Sequence, residues 1–117
     1  MNPSMVAEAV DRIAGRVRRT PVLPTEIAGR VVHLKLELLQ YTGSFKPRGA
    51  FNRVLGESAI PDAGVLAASG GNHGAALAYV AHTLGFPCEI FVPEVTPEIK
   101  RRNIARYGAT VTVGGPC

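Results

Sequence analysis

The stretch GVLAASGGNHGAALAYVAHTLGFPCEIFV, Gly64–Val92, changes its pattern twice. Gly64–Ala68 (GVLAA) is a short apolar run of the kind that forms a buried strand. His73–Leu84 is a dozen small and apolar residues, the length of a helix. Pro87–Val92 (PCEIFV) is a second short apolar run. A strand, a helix of about a dozen residues and another strand make a βαβ unit with a right-handed crossover and parallel strands. Downstream, Thr96, Pro97 and Glu98 carry a capping signal for a further helix, and Ala109–Val113 (ATVTV) reads as a third strand. The fold class is therefore α/β, an open parallel sheet of βαβ units.

Upstream the pattern is looser. Pro47 suits the first position of a helix, where its missing N–H costs nothing, and that helix runs to about Gly56. Val31–Glu37 (VVHLKLE) alternates outward His33, Lys35 and Glu37 with inward Val32, Leu34 and Leu36, as in a half-buried strand. Thr20–Pro24 has two prolines and is expected as extended linker. The first fifteen residues form a helix with Val6, Ala9, Val10, Ile13 and Ala14 on one face, ended by Gly15 and the basic run Arg16–Arg19. The sequence stops at GGPC directly after a strand, while parallel sheets need both faces covered. The expectation is that these residues are the N-terminal part of a larger protein.

Composition narrows the function classes. With 117 residues, 46% hydrophobic and 19% charged, the chain can bury a core, and disorder is excluded. No apolar run approaches a bilayer span, and the N-terminus interleaves charges with apolar residues, unlike a signal peptide. A cytoplasmic protein without membrane contact is expected. Cys88 and Cys117 lack metal-ligand spacing, and Cys88 sits in an apolar run, so it is expected as a buried, reduced thiol and no metal site is expected. The net charge of +4 includes the cluster Lys100, Arg101, Arg102 and Arg106, whose helical spacing marks a solvated face. No aromatic residues are interleaved to stack bases, so no nucleic-acid partner is expected.

Two stretches could do chemistry. SGGNHG, Ser69–Gly74, lies between a strand and a helix, where open α/β sheets bind ligands. Its glycines allow close backbone approach, and their N–H groups together with the helix dipole form an anion site for a carboxylate or phosphate. The pattern is neither GxGxxG nor a Walker loop. Ser69, Asn72 and His73 are polar side chains between apolar elements and need partners; His73 could equally cap or pack the helix. In GSFKPRGA, Gly43–Ala50, Phe45 can partly desolvate Lys46, favouring the neutral amine that is the nucleophile of a Schiff base.

These two motifs, with LKLELLQYT before the first, resemble the serine/threonine dehydratase group of pyridoxal-phosphate (PLP) enzymes, which share the fold type II architecture of the tryptophan synthase β subunit. RRTPVL near the start and FVPEVTPEIKRRNIARYGATV near the end resemble the same group, so the similarity covers nearly the whole chain. The resemblance implies that Lys46 holds PLP as a Schiff base and is the catalytic base, that Phe45 packs on the cofactor ring, and that Asn72 hydrogen-bonds the ring oxygen. It implies that Ser69 and the backbone of Gly70, Gly71, Asn72 and His73 receive the substrate carboxylate. Residues 1–45 would belong to the large PLP domain and 46–117 to an incomplete small α/β domain.

The implied activity is deamination of L-threonine or L-serine to a 2-oxo acid and ammonia. The complete protein would take a small amino-acid substrate and form a homo-oligomer. Gly70 departs from many relatives, serine racemases among them, which carry a second serine there; in the racemases that serine exchanges the proton on the face opposite the lysine. The family's phosphate cradle and the partner of its pyridine nitrogen fall beyond residue 117, so the 117 residues by themselves are expected to bind PLP poorly and to be inactive. Rival readings are another fold type II enzyme, whether serine racemase, β-eliminase or β-replacement enzyme, and a non-catalytic α/β module that holds an anion at SGGNHG.

Overall fold

Asn2 caps the first helix: its Oδ1 accepts from the Met5 N–H at 3.0 Å, and Pro3 follows at the first turn. In a computed structural model, which describes residues 1–115, this helix, α1, covers Pro3–Ile13. No residue of α1 is buried, and Val6 and Val10 remain 48% and 59% exposed, so the apolar face is present but mostly uncovered. Strand β1 (Val22–Ile27) then pairs antiparallel with β2 (Arg30–Lys35). The expected linker Thr20–Pro24 is thus largely strand. The chain reverses through Ala28 and Gly29, both at positive φ (49° and 73°), the backbone a two-residue hairpin needs. The expected half-buried strand ends two residues earlier than its alternation suggested, starts one residue earlier and is mostly exposed; Leu34, expected inward, is 41% exposed.

Two short 3-10 turns, Glu37–Leu39 and Tyr41–Gly43, lead into α2 (Lys46–Leu55). The rest follows the alternating pattern: β3 (Val65–Ala68), α3 (Asn72–Leu84), β4 (Cys88–Val92), α4 (Glu98–Ala105) and β5 (Thr110–Val113). The three strands form a parallel sheet in the order β3-β4-β5, and both crossover helices lie on the face that carries Ile90. Phe51, Ile90, Val80, Val92 and Ile104 are buried between sheet and helices.

Three expectations need correction here. The opposite sheet face is open, with Leu66 71% and Phe91 40% exposed, so β3 is covered on one side only. Helix α4 has no side-chain cap: Pro97 occupies the cap position and Thr96 is buried instead. Cys88 is a free, half-buried thiol, and burial raises its pKa, which keeps it protonated and inert; Cys117 lies outside the described residues. Lys100 and Arg102 of α4 are exposed, Arg102 pairing with Glu98 at 2.6 Å one turn away, whereas Arg101, expected on the same solvated face, is half-buried and donates to the Glu94 carbonyl. No helix among the described residues is long and apolar enough to cross a membrane.

Helix α3 approaches the sheet closely because most of its buried residues are small: Gly74, Ala75, Ala76, Ala78 and Ala81, beside Leu77 and Val80. A methyl group on Gly74 would stand 3.1 Å from Ile90 Cγ2 and 3.3 Å from Ile104 Cδ1, and closer still to the Ser69 carbonyl oxygen. Gly74→Ala is expected to cost about 1–3 kcal/mol, the usual penalty of overpacking, despite alanine's higher helix propensity; urea denaturation against wild type measures it.

Candidate functional site

Ser69–His73 form the turn from the end of β3 into the first residues of α3. Gly71 occupies the helix cap position, so neither Asn72 nor His73 caps the helix; they are its first two residues and both are exposed. Ser69 Oγ accepts from the Gly71 N–H at 3.3 Å, which tightens the turn. The side chains of Asn72 and His73 make no hydrogen bond among the described residues and are free to meet a ligand. Gly71 has ordinary extended dihedrals, and a Cβ there would meet nothing within 4 Å. Nothing among the described residues crowds a side chain at that point, so the space over Gly71 is open.

Lys46 is the first residue of α2. It is half-buried, and its Nζ lies 5.0 Å from the centroid of the Phe45 ring, which is itself 57% exposed. Phe45 and Lys46 therefore act as one pair. Ser44 Oγ accepts from the Lys46 N–H at 3.3 Å. The chain enters this turn through Thr42 and Gly43 at φ 63° and 76°. A left-handed threonine is strained, and the Thr42 hydroxyl is buried with no partner among the described residues.

The order around the lysine comes from residues that the sequence reading did not assign to the site. Arg48 grips Glu37 with two bonds, Nε at 2.8 Å and NH2 at 2.7 Å, and a third bond from NH2 reaches the Arg18 carbonyl at 3.2 Å. Thr20 Oγ1 also donates to Glu37, at 2.5 Å, and Lys35 Nζ donates to the Thr20 carbonyl at 2.6 Å. Buried Gln40 exchanges two bonds with the backbone of Arg18, at 2.9 and 2.8 Å. Tyr41 stacks on Tyr79 of α3 with ring centroids 5.0 Å apart, and Arg18 covers the Tyr41 ring at 4.4 Å. Glu37, expected as an outward strand residue, is thus the centre of an ion-pair network. The alternation was carried two residues too far; Arg48, two residues after the lysine, was the available signal for its partner.

Helices α2 and α3 pack side by side, with Phe51 edge-on to Tyr79, so the two motifs sit at the starts of neighbouring helices. A cavity of about 330 Å³ is lined by Gly49, Ala50 and Arg53 of α2, Val65 and Ala67 of β3 and His73 of α3, among others. Ser69 and Gly70 line a separate one of about 300 Å³ with Phe91, Pro93 and Gly114. Lys46 and Phe45 line neither. Taken together, the site offers an amine beside an aromatic ring, a turn with unengaged polar side chains, and space over Gly71.

Residues 13–116 match the family described as pyridoxal-phosphate dependent enzyme, and the chain belongs to it. A serine racemase of Arabidopsis thaliana is 46% identical over 111 residues, which are 91% of this chain and 34% of that protein. The solved maize serine racemase superposes with a TM-score of 0.90 at 34% identity, covering 97% of this chain and 36% of that one. A solved threonine deaminase from T.th. superposes with a TM-score of 0.87 at 36% identity, covering 100% and 38%. The chain spans about a third of the length of the relatives it matches. The fold is the tryptophan synthase β-like fold of PLP enzymes, and PLP is the cofactor. An amine beside an exposed ring and turn groups without internal partners are compatible with that cofactor.

The two arginine bonds and that from Thr20 lower the pKa of Glu37 from 4.5 to about 2, against the opposing effect of burial. A depressed carboxyl stabilises the fold fully above its unfolded value, and the contribution is lost as pH falls through about 2. Glu37→Gln is expected to cost about 1.5–3 kcal/mol at pH 7 and to flatten the loss of stability between about pH 5 and 2. Urea denaturation at a series of pH values measures both.

Proposed function

We propose that this chain carries the lysine and the carboxylate-binding turn of a PLP-dependent dehydratase that converts a β-hydroxy amino acid, L-threonine or L-serine, to a 2-oxo acid and ammonia. Lys46, the amine at the start of α2, would hold the cofactor, with Phe45 against its ring and Asn72 toward its ring oxygen. Ser69 and the backbone of Gly70, Gly71, Asn72 and His73 would bind the substrate carboxylate at the start of α3, where the helix dipole favours an anion.

Bound PLP supplies an electron sink that makes the Cα–H bond acidic. Lys46 Nζ, freed when the substrate's amine takes its place on the cofactor, would take the Cα proton, and the turn's grip on the carboxylate would keep that bond in the orientation in which it ionises. Loss of the β-hydroxyl as water leaves an enamine, which hydrolyses to the 2-oxo acid and ammonia.

The observation that carries elimination over racemisation is Gly70. Racemisation needs a proton donor on each face of Cα, and glycine brings no side chain to the second face. A racemase reading is favoured by the serine racemases among the relatives; it predicts D-serine from L-serine. We place the complete protein, on this reading, in the cytoplasm as a homo-oligomer.

The test is product analysis of the complete protein that carries these residues, with PLP and L-threonine or L-serine. The expected products are the 2-oxo acid and ammonia with no D-amino acid, and a fall of at least about a hundredfold in Lys46→Ala. D-serine as the main product would overturn the dehydratase assignment.

A further inference from the structure

Gly70 is not held as glycine by its backbone, since its φ is outside the left-handed range where glycine is favoured. What stands in the way of a side chain is Thr96. A Cβ on Gly70 would lie 2.8 Å from Thr96 Cγ2, 3.2 Å from Thr96 Cβ, and nearer still to the threonine hydroxyl. Thr96 cannot easily yield. It is 7% exposed, β-branched and therefore stiff about its first side-chain torsion, and restricted in its backbone by Pro97 after it. Its N–H is also bonded to the Pro93 carbonyl at 2.9 Å. The two residues come from different loops, one after β3 and one after β4, and meet at the carboxyl ends of adjacent parallel strands.

We infer that Gly70 and Thr96 form a mutually exclusive pair that sets the chemistry of the turn: position 70 can carry a side chain only when position 96 is smaller than threonine. Thr96 is thereby a specificity-determining residue that acts through position 70. While it is present, the turn offers no side-chain hydroxyl at position 70, and the second face of a bound substrate has no proton donor from there. The inference about reaction outcome rests on the dehydratase reading; the steric coupling does not.

The test is a double-mutant cycle in the complete protein that carries these residues, read first as thermal midpoint and then as product. Gly70→Ala, which adds only the Cβ, and Gly70→Ser are each expected to lower the midpoint by roughly 5 °C. Thr96→Ala in the same chain should restore at least half of that loss, a non-additivity typical of residues in contact. With PLP and L-serine, the Gly70→Ser, Thr96→Ala double variant is expected to raise the ratio of D-serine to 2-oxo acid at least tenfold over wild type, while Thr96→Ala alone leaves the ratio unchanged. Midpoints that are unaffected by Gly70→Ala, or losses that simply add in the double variant, would overturn the pairing. Coupled midpoints in a protein that forms no 2-oxo acid would leave the pairing in place and overturn the dehydratase reading instead.

Discussion

The ion pair between Glu37 and Arg48 is the constraint on which the lysine turn depends. Arg48 lies two residues after Lys46, in the first turn of α2, and Glu37 lies at the end of the N-terminal hairpin segment. Their two hydrogen bonds fix the start of the helix to the segment before it. Thr20, Lys35, Gln40 and Arg18 complete the network, so that a strained turn with threonine and glycine at positive φ is held in one conformation. A bidentate guanidinium fork is suited to this work, since it fixes orientation as well as distance.

The second motif depends on packing rather than on charge. Helix α3 can begin directly at the end of β3 because Gly74 and the alanines after it let the helix settle close to Ile90 and Ile104. That approach presents the Ser69–His73 backbone at a helix N-terminus, with Asn72 and His73 exposed. The same turn is walled on one side by Thr96 from the next loop. Packing on the Ile90 side of the sheet thus determines both where the turn sits and what it can carry.

Much of this was legible in the sequence. The βαβ run, the lysine turn and the glycine-rich turn are set by local pattern and local turn chemistry, and these periods and glycine positions survive in the fold. Strand β1 was hidden because Pro24 reads as a breaker and because the hairpin turn is Ala28-Gly29 rather than a turn with asparagine. Glu37 was misplaced because an alternation of polar and apolar residues does not announce where a strand ends. Thr96 looked like a helix cap, and its contact with Gly70 joins residues far apart in the chain, which no local pattern encodes. The open face of Leu66 and Phe91 follows from the topology, since two crossovers running in one direction across the sheet put both helices on the same side.

The central claim is that Lys46, among all the amines of this chain, is the one built to hold PLP. Incubation of the complete protein that carries these residues with PLP, reduction with borohydride and peptide mapping by mass spectrometry tests it most directly. The account predicts a pyridoxyl group on the peptide containing Lys46 and on no other lysine. A protein labelled at Lys35 or Lys100 in preference to Lys46, or left without any selective adduct, would contradict it.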